Sequence, residues 1–251
     1  MVNVAIKAAQ EAGKFLLGNF GKITHIETKD DRSLATNADK GAEEIIVGLI
    51  KTRFPSHGIL AEENEKKDVE NEYLWIIDPL DGTHNYIRSI PIFGVSIGLF
   101  ARGSFVLGVI YMPWENELYV AEKGNGTYKN GTKIAVSQKK ELDECSLSFD
   151  SSIRKSPQVM IPVLDTIAQR VFNLRMLGSS ARLLSYVAEG KLDASIEFHD
   201  RPWDFAAGVC LIEEAGGVFT DLKGNLPTYK TVGYLTANKI LHGKLLNLIM
   251  K

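Results

Sequence analysis

Leu74-Trp75-Ile76-Ile77-Asp78-Pro79-Leu80-Asp81-Gly82-Thr83 decides how this chain is read. Its four apolar residues predict a buried strand. Two carboxylates follow at the strand's end, three positions apart. Pro79 has no amide hydrogen to give a ladder, so the strand is expected to stop there. Gly82 permits a tight turn that exposes backbone to a ligand, and Thr83 adds a hydroxyl. A hydrophobic core has no use for two neighbouring acids. A hard divalent cation does, and a phosphate would follow the cation.

The bulk composition narrows the choice of partner. With 251 residues and 45% hydrophobic content, the chain can bury a sizeable core, as one large domain or two tightly joined halves. Lys and Arg number 29 against 31 Asp and Glu, a net charge of -2 that gives no electrostatic reason to expect nucleic acid. Cys145 and Cys210 stand far apart and outside any CxxC pair. That argues against a zinc site or a disulfide framework and fits a reducing cytoplasm. No stretch reaches the ~20 apolar residues that a membrane span needs. The N-terminus carries Lys7, Glu11 and Lys14 at helical spacing, so it reads as an amphipathic helix and not a signal peptide.

Working outward from the opening stretch, the spacing of Ala5, Ala8, Ala9, Ala12, Leu16 and Phe20 predicts a first helix ending at Gly21. A polar loop or hairpin over 22–35 precedes a second helix from Asn37 to Phe54, capped by Thr36 or Asn37, with Asp39 in its first turn. Gly58 to Ala61 predicts a short strand running into Glu62-Glu63. Beyond the opening stretch, Arg102-Gly103 and Asn130-Gly131 mark hairpin turns in a β meander. The first part is thus expected to be two helices and an antiparallel sheet. After a polar boundary near 137–144, strands alternate with helices, the pattern of an α/β half. The expected halves are 1–140 and 141–251, with the site between them.

Four acids, Glu62, Asp78, Asp81 and Asp204, each stand where a strand or turn meets a helix. Taken singly, an Asp at a helix start is ordinarily a cap, and a lone Glu is ordinarily solvated. The pairing of Asp78 with Asp81, between an apolar run and Gly-Thr, favours chemistry.

The motifs resemble those of the inositol monophosphatase family of Mg²⁺-dependent, lithium-sensitive phosphatases, which includes enzymes that also hydrolyse fructose 1,6-bisphosphate. Glu62-Glu63 after an apolar strand, Trp75 to Thr83 with Asn85-Tyr86, and Trp203-Asp204-Phe205-Ala206-Ala207-Gly208 with Glu214-Ala215-Gly216-Gly217 all match, in order and spacing. The resemblance implies a layered α-β-α-β-α sandwich, of mixed α/β class. It implies that Glu62, Asp78 and the Leu80 carbonyl hold one Mg²⁺, that Asp78, Asp81 and Asp204 hold a second, and that a weaker third lies by Glu62, with Mn²⁺ able to substitute. Asp39 matches the acid that pairs with the motif threonine, Thr83, to orient and deprotonate the attacking water. Two cations and an in-line water suit hydrolysis of a phosphate dianion, and the amides of Gly82 and Thr83 suit its oxygens.

For the substrate, the resemblance implies contacts from Gly178, Ser179 and Ser180, and hydrogen bonds from sugar or polyol hydroxyls to Glu197, whose alternative is a surface carboxylate. Arg182 stands where the family has an apolar residue: it either meets a second phosphate or turns away into an ion pair. Lys29 in the 29–33 loop either serves metal or phosphate or is an exposed hairpin tip. The expected function is Mg²⁺-dependent hydrolysis of inositol 1-phosphate. The alternatives are fructose 1,6-bisphosphatase activity, alone or alongside, and a non-catalytic regulator on the same fold. A homodimer is expected from the resemblance.

Overall fold

The structure is a computed structural model that describes residues 1–22, 26–28, 34–63 and 66–250. The chain runs through α1 (Val2–Asn19), β1 (Ile26–Thr28), β2 (Leu34–Thr36), α2 (Asn37–Arg53), β3 (Gly58–Ala61), β4 (Lys66–Lys67), β5 (Tyr73–Asp81) and the short α3 (Thr83–Ile87). A meander follows, of β6 (Gly94–Ala101), β7 (Ser104–Met112), β8 (Glu117–Glu122), β9 (Thr127–Lys129) and β10 (Thr132–Ile134). The remainder is β11 (Ser146–Phe149), α4 (Pro157–Ala168), β12 (Asn173–Arg175), α5 (Ser180–Ala188), β13 (Ala194–Glu197), α6 (Pro202–Glu214), β14 (Gly217–Thr220), β15 (Tyr234–Asn238) and α7 (Lys239–Ile249).

These elements stack in five layers. α1 and α2 cover one face of an eight-stranded sheet ordered β10-β9-β8-β7-β6-β5-β3-β4. α5 and α6 cover its other face and also touch a second sheet, ordered β12-β11-β13-β15-β14, through β13 and β14. α4 and α7 close the far side of the second sheet. The chain is therefore the layered α-β-α-β-α sandwich that its motifs imply.

Alternating side chains explain why β5 is apolar throughout. Trp75 and Ile77 face the α1–α2 core, whereas Leu74 and Ile76 face the α5–α6 core. A strand covered on both faces reads as a continuous apolar run. Each of these four is fully buried, worth about 1.5–3 kcal/mol apiece for the aliphatic ones. Both hairpin turns adopt the expected conformation: φ is 51° and 81° at Arg102 and Gly103, and 47° and 80° at Asn130 and Gly131.

Two expectations need correction. The first sheet is mixed, because β3 pairs parallel to β5. Nor does β5 stop at Pro79. It pairs with β6 at Asp78↔Ser96, shifts register, and pairs again at Asp81↔Gly94. The proline sits in the irregularity, where its missing amide costs no ladder bond. The segment 29–33, including Lys29, lies outside the described residues.

Candidate active site

The end of β5 opens onto a cleft of about 880 Å³ between the two sheets. Glu62, Asp78, Leu80, Asp81, Gly82, Thr83, Gly178, Ser179, Ser180, Glu197 and Asp204 all line it. Carboxylate oxygens of Glu62, Asp78 and Asp204 come within 4.8 Å of one another. Glu62 reaches the cleft from the turn after β3, where the Glu63 amide donates to Glu43 Oε2 at 2.9 Å. Asp78 is held at the β5 irregularity, its Oδ1 accepting from the Leu80 amide at 3.0 Å. Asp204 enters on the first turn of α6 and also caps that helix, accepting from the Arg201 amide at 2.6 Å. Capping fixes this carboxylate without using all its lone pairs.

Asp81 is oriented differently. Ser179 Oγ donates to its Oδ2, as does the Ala181 amide at 3.0 Å, and the Ser180 amide donates to Oδ1 at 3.0 Å. The β5 terminus is thereby tied to the start of α5. Gly82 makes the approach possible: its φ is 87°, and a Cβ there would stand 2.7 Å from the Ile92 carbonyl oxygen. Asn85 braces the same junction, donating to the carbonyls of Ile92 at 3.0 Å and Leu177 at 2.8 Å.

Asp39 lies wholly buried beside Thr83. Its Oδ2 accepts from the Thr36 amide at 2.8 Å and the Thr36 hydroxyl at 2.6 Å, and its Oδ1 lies 3.0 Å from Thr83 Oγ1. One carboxylate both completes the capping box of α2 and reaches the motif threonine. Thr83 Oγ1 lies 3.0 Å from the Leu80 carbonyl as well.

The electrostatics are those of a site short of positive charge. Burial raises the Asp78 carboxyl well above its ordinary range, and the charges of Glu62, Asp81, Asp204 and Asp39 raise it further. Burial, Asp200 and Glu62 do the same to Asp204. Asp81 is pushed up by burial to about 6, against the bonds from Ser179, Ala181 and Ser180. An all-oxygen set whose members repel one another fits a hard divalent cation, which relieves the repulsion and accepts carboxylate and carbonyl oxygens.

Arg182 does not serve the cleft. Arg182 is 1% exposed, and its guanidinium is ion-paired at 2.8 Å with Glu115, donates at 2.7 Å to Glu117, and lies over the Tyr186 ring. Two positions along a helix turn the side chain by about 200°. Arg182 therefore faces β8 while Ser179 and Ser180 face Asp81.

Sequence reasoning missed part of the cleft wall. Asp150, buried, follows β11 and accepts from the amides of Ser152 at 2.6 Å and Phe198 at 3.0 Å. Asp200 accepts from Ser180 Oγ at 2.6 Å, and burial pushes its carboxyl up to about 8. Burial and the Asp200 and Asp150 charges also raise Glu197, whose buried Oε1 has no hydrogen-bond partner. Arg154, Lys155 and His199 complete the wall. A signal was present for Asp150: an acid directly after an apolar strand, the pattern of Ala61-Glu62 and Ile77-Asp78.

Fold and site together define a layered α/β protein with an all-oxygen acidic cluster in the floor of its cleft. The profile of the inositol monophosphatase family matches residues 1–251. The chain belongs to that family, whose members are generally phosphatases. It is 36% identical over 242 residues to Nus factor SuhB of Escherichia coli (strain K12), covering 94% of this chain and 90% of that one. It is 36% identical over 254 residues to the fructose-1,6-bisphosphatase/inositol-1-monophosphatase of Aquifex aeolicus (strain VF5), covering 100% and 95%. The solved inositol monophosphatase of Anabaena (Nostoc) sp. PCC 7120 superposes with a TM-score of 0.89 at 36% identity, covering 99% of this chain and 94% of that one.

Proposed function

We propose that the protein hydrolyses small polyol or sugar phosphate monoesters with Mg²⁺, inositol 1-phosphate first among them, by direct attack of water. The observation that carries this is the Glu62–Asp78–Asp204 oxygen cluster with the Asp39–Thr83 pair beside it. Glu62, Asp78, Asp204, the Leu80 carbonyl and Asp81 would hold the cations. When bound, Mg²⁺ supplies positive charge against the phosphate dianion and the departing alkoxide and makes water more acidic. The chain's own residues do the positioning. Thr83 can donate its hydroxyl proton to Asp39, which leaves the oxygen's lone pairs to accept from the attacking water. The amides of Gly82 and Thr83, at the start of α3, would meet phosphate oxygens. Ser179 and Ser180, at the mouth of α5, and the unpartnered Oε1 of Glu197 suit the hydroxyls of the substrate.

Fructose 1,6-bisphosphate is the second reading. Arg154 and Lys155 on the cleft wall favour it, since they offer cations to a second phosphate in place of the buried Arg182. Comparing kcat/KM for the two substrates with Mg²⁺ decides between them. Phosphate release that survives both Asp81→Asn and Asp204→Asn would remove the metal-site reading altogether. A regulatory role without catalysis would show as no phosphate release from either substrate. The two buried free thiols, Cys145 and Cys210, suit a cytoplasmic setting. Homodimerisation is supported by exposed Phe172, which adjoins the sheet-edge strand β12, and sedimentation as a monomer would refute it.

A further inference from the structure

A second constellation joins two residues of the cleft wall, Asp150 and His199, to Ser156. Ser156 Oγ lies 2.8 Å from His199 Nε2, and His199 Nδ1 lies 3.0 Å from Asp150 Oδ2. Asp150 is 2% exposed and itself fixed by two backbone amides, those of Ser152 and Phe198. A carboxylate that accepts from Nδ1–H sets the tautomer of the ring, so Nε2 presents a lone pair. The only proton left for the Ser156–His199 contact is that of the serine, which donates to Nε2. Nucleophile, base and orienting acid are then in series at hydrogen-bonding distance, the arrangement that activates a serine on unrelated folds. Three separate elements converge to make it. Asp150 comes from the end of β11, Ser156 from the residue before α4, and His199 from the turn after β13.

The surroundings suit an acyl group. His199 and Asp150 line the 880 Å³ cleft, the His199 side chain is 24% exposed, and half-buried Ser156 is joined to that ring. Arg154 and Lys155 directly precede Ser156. α4 begins at Pro157, which has no amide hydrogen, and its Val159 and Met160 amides donate to the Ser156 carbonyl at 3.1 and 3.0 Å, so the positive end of the helix dipole lies at Ser156. The two cations and the helix dipole place positive potential beside Ser156, which favours an oxyanion formed on its acyl group.

We propose that Ser156, His199 and Asp150 form a second catalytic site that hydrolyses small carboxylic esters through an acyl-serine, independently of the phosphatase reading. Ser156 Oγ bonds to the ester carbonyl carbon as its proton passes to His199 Nε2. The carbon–alkoxide bond breaks, and the leaving oxygen takes that proton and departs as the alcohol. Water then adds to the acyl-Ser156 carbonyl, giving a proton to His199 Nε2. The acyl–Oγ bond breaks, the carboxylic acid leaves, and the proton returns to Ser156. Ester and water become acid and alcohol with nothing else consumed.

The test uses the full chain kept metal-free with EDTA and p-nitrophenyl acetate as the probe. Asp78→Asn, Ser156→Ala, Ser156→Cys and His199→Asn are compared, with a thermal melt of each to show that it is folded. The expected result is a stoichiometric burst of p-nitrophenol, with the acetyl group mapped to Ser156 by peptide mass. The burst should persist in Asp78→Asn, disappear in Ser156→Ala, return as a thioester in Ser156→Cys, and slow by roughly 10²–10⁴-fold in His199→Asn. A folded wild-type protein that shows no burst overturns the proposal. So does an acetyl label on lysine alone, or a burst that Ser156→Ala leaves intact.

Discussion

Gly98 on β6 and Gly108 on β7 face each other across the ladder, and α6 lies over both. A methyl group at Gly98 would stand 2.6 Å from Ala206 Cβ, 2.7 Å from the Ala206 carbonyl carbon and 2.9 Å from the Ala207 nitrogen. Carbon contacts settle near 3.5–4.0 Å, and none of these atoms ends a flexible side chain, so Gly98→Ala must push α6 outward by about 1 Å. Overpacking of this kind costs roughly 1–3 kcal/mol. Replacing glycine in a strand interior returns roughly 0.5–1 kcal/mol. The clash wins, because backbone has to move, and the net loss is about 1–2 kcal/mol. At roughly 2–4 °C per kcal/mol for a chain of this length, Tm falls by about 2–8 °C. The shift also carries Asp204, on the first turn of α6, away from Glu62 and Asp78. A displacement near 1 Å costs up to about 10²-fold in rate, so kcat/KM for phosphate release should fall by at least about tenfold. Calorimetry and a phosphate-release assay measure the two effects. Gly48→Ala, on the exposed face of α2 with nothing within 4 Å of its Cβ, is the control and should stabilise by roughly 0.5–1 kcal/mol. A Gly98→Ala protein that melts and turns over like the parent would refute the claim that the two glycines set the seat of α6.

Thr83→Val keeps the shape of the side chain and removes the hydroxyl between Asp39 and Leu80. It should lower kcat by roughly 10²–10⁴-fold with little change in Tm, and an unchanged kcat would remove the water-activating pair. Arg182→Met leaves Glu115 without its cation and leaves Glu117 paired with Lys129 alone. The loss should be about 2–3 kcal/mol, short of the ~3–5 of a wholly buried pair because Glu115 is 34% exposed, and a urea midpoint equal to the parent's would contradict it. His242 is buried against Thr220 Oγ1 at 2.9 Å, and burial lowers its pKa below the usual 6.5. As pH falls below 6.5 the unfolded chain takes up this proton before the folded one does, so stability is complete above that value and lost below it. Urea melts from pH 7.5 to 5 should show this slope, and His242→Gln should flatten it.

Where the sequence was legible, a local pattern answered to one physical cause. Arg102-Gly103 and Asn130-Gly131 gave their turns because few residue pairs tolerate two positive φ values in succession. Thr36 and Asp39 gave the start of α2 because a side chain must satisfy its first amides. Asp78, Asp81, Glu62 and Asp204 were legible because charge beside an apolar strand needs a reason. The illegible features depend on residues remote in the chain. Whether Arg182 met a phosphate or an ion pair rested on Glu115 and Glu117, more than sixty positions away. Asp81 binding to the start of α5 rested on residues 98 to 100 positions away. The continuation of β5 past Pro79 rested on a register shift against β6 that no local pattern announces.

One topological fact accounts for the position of the cleft. Every strand in a parallel pairing delivers its C-terminal end there: β3 brings Glu62, β5 brings Asp78 and Asp81, β11 brings Asp150, β12 brings Met176 to Gly178, and β13 brings Glu197 and His199. Among the described residues, none that lines the cleft lies on the antiparallel strands β6 to β10 or on β14 and β15. A parallel strand is left by a turn that must rise away from the sheet to begin its crossover, so side chains and amides at that end are not consumed by the ladder. Taking the first sheet as wholly antiparallel hides this rule, because antiparallel strands spread their ends over both edges. With β3 and β5 parallel, Glu62 and Asp78 must lie side by side at one end of the first sheet, and Asp150 and Glu197 do the same in the second. The two carboxylate pairs face each other across the gap that α5 and α6 span. An acidic cluster on one sheet and a second acidic wall on the other then follow from strand direction, before any single residue is considered.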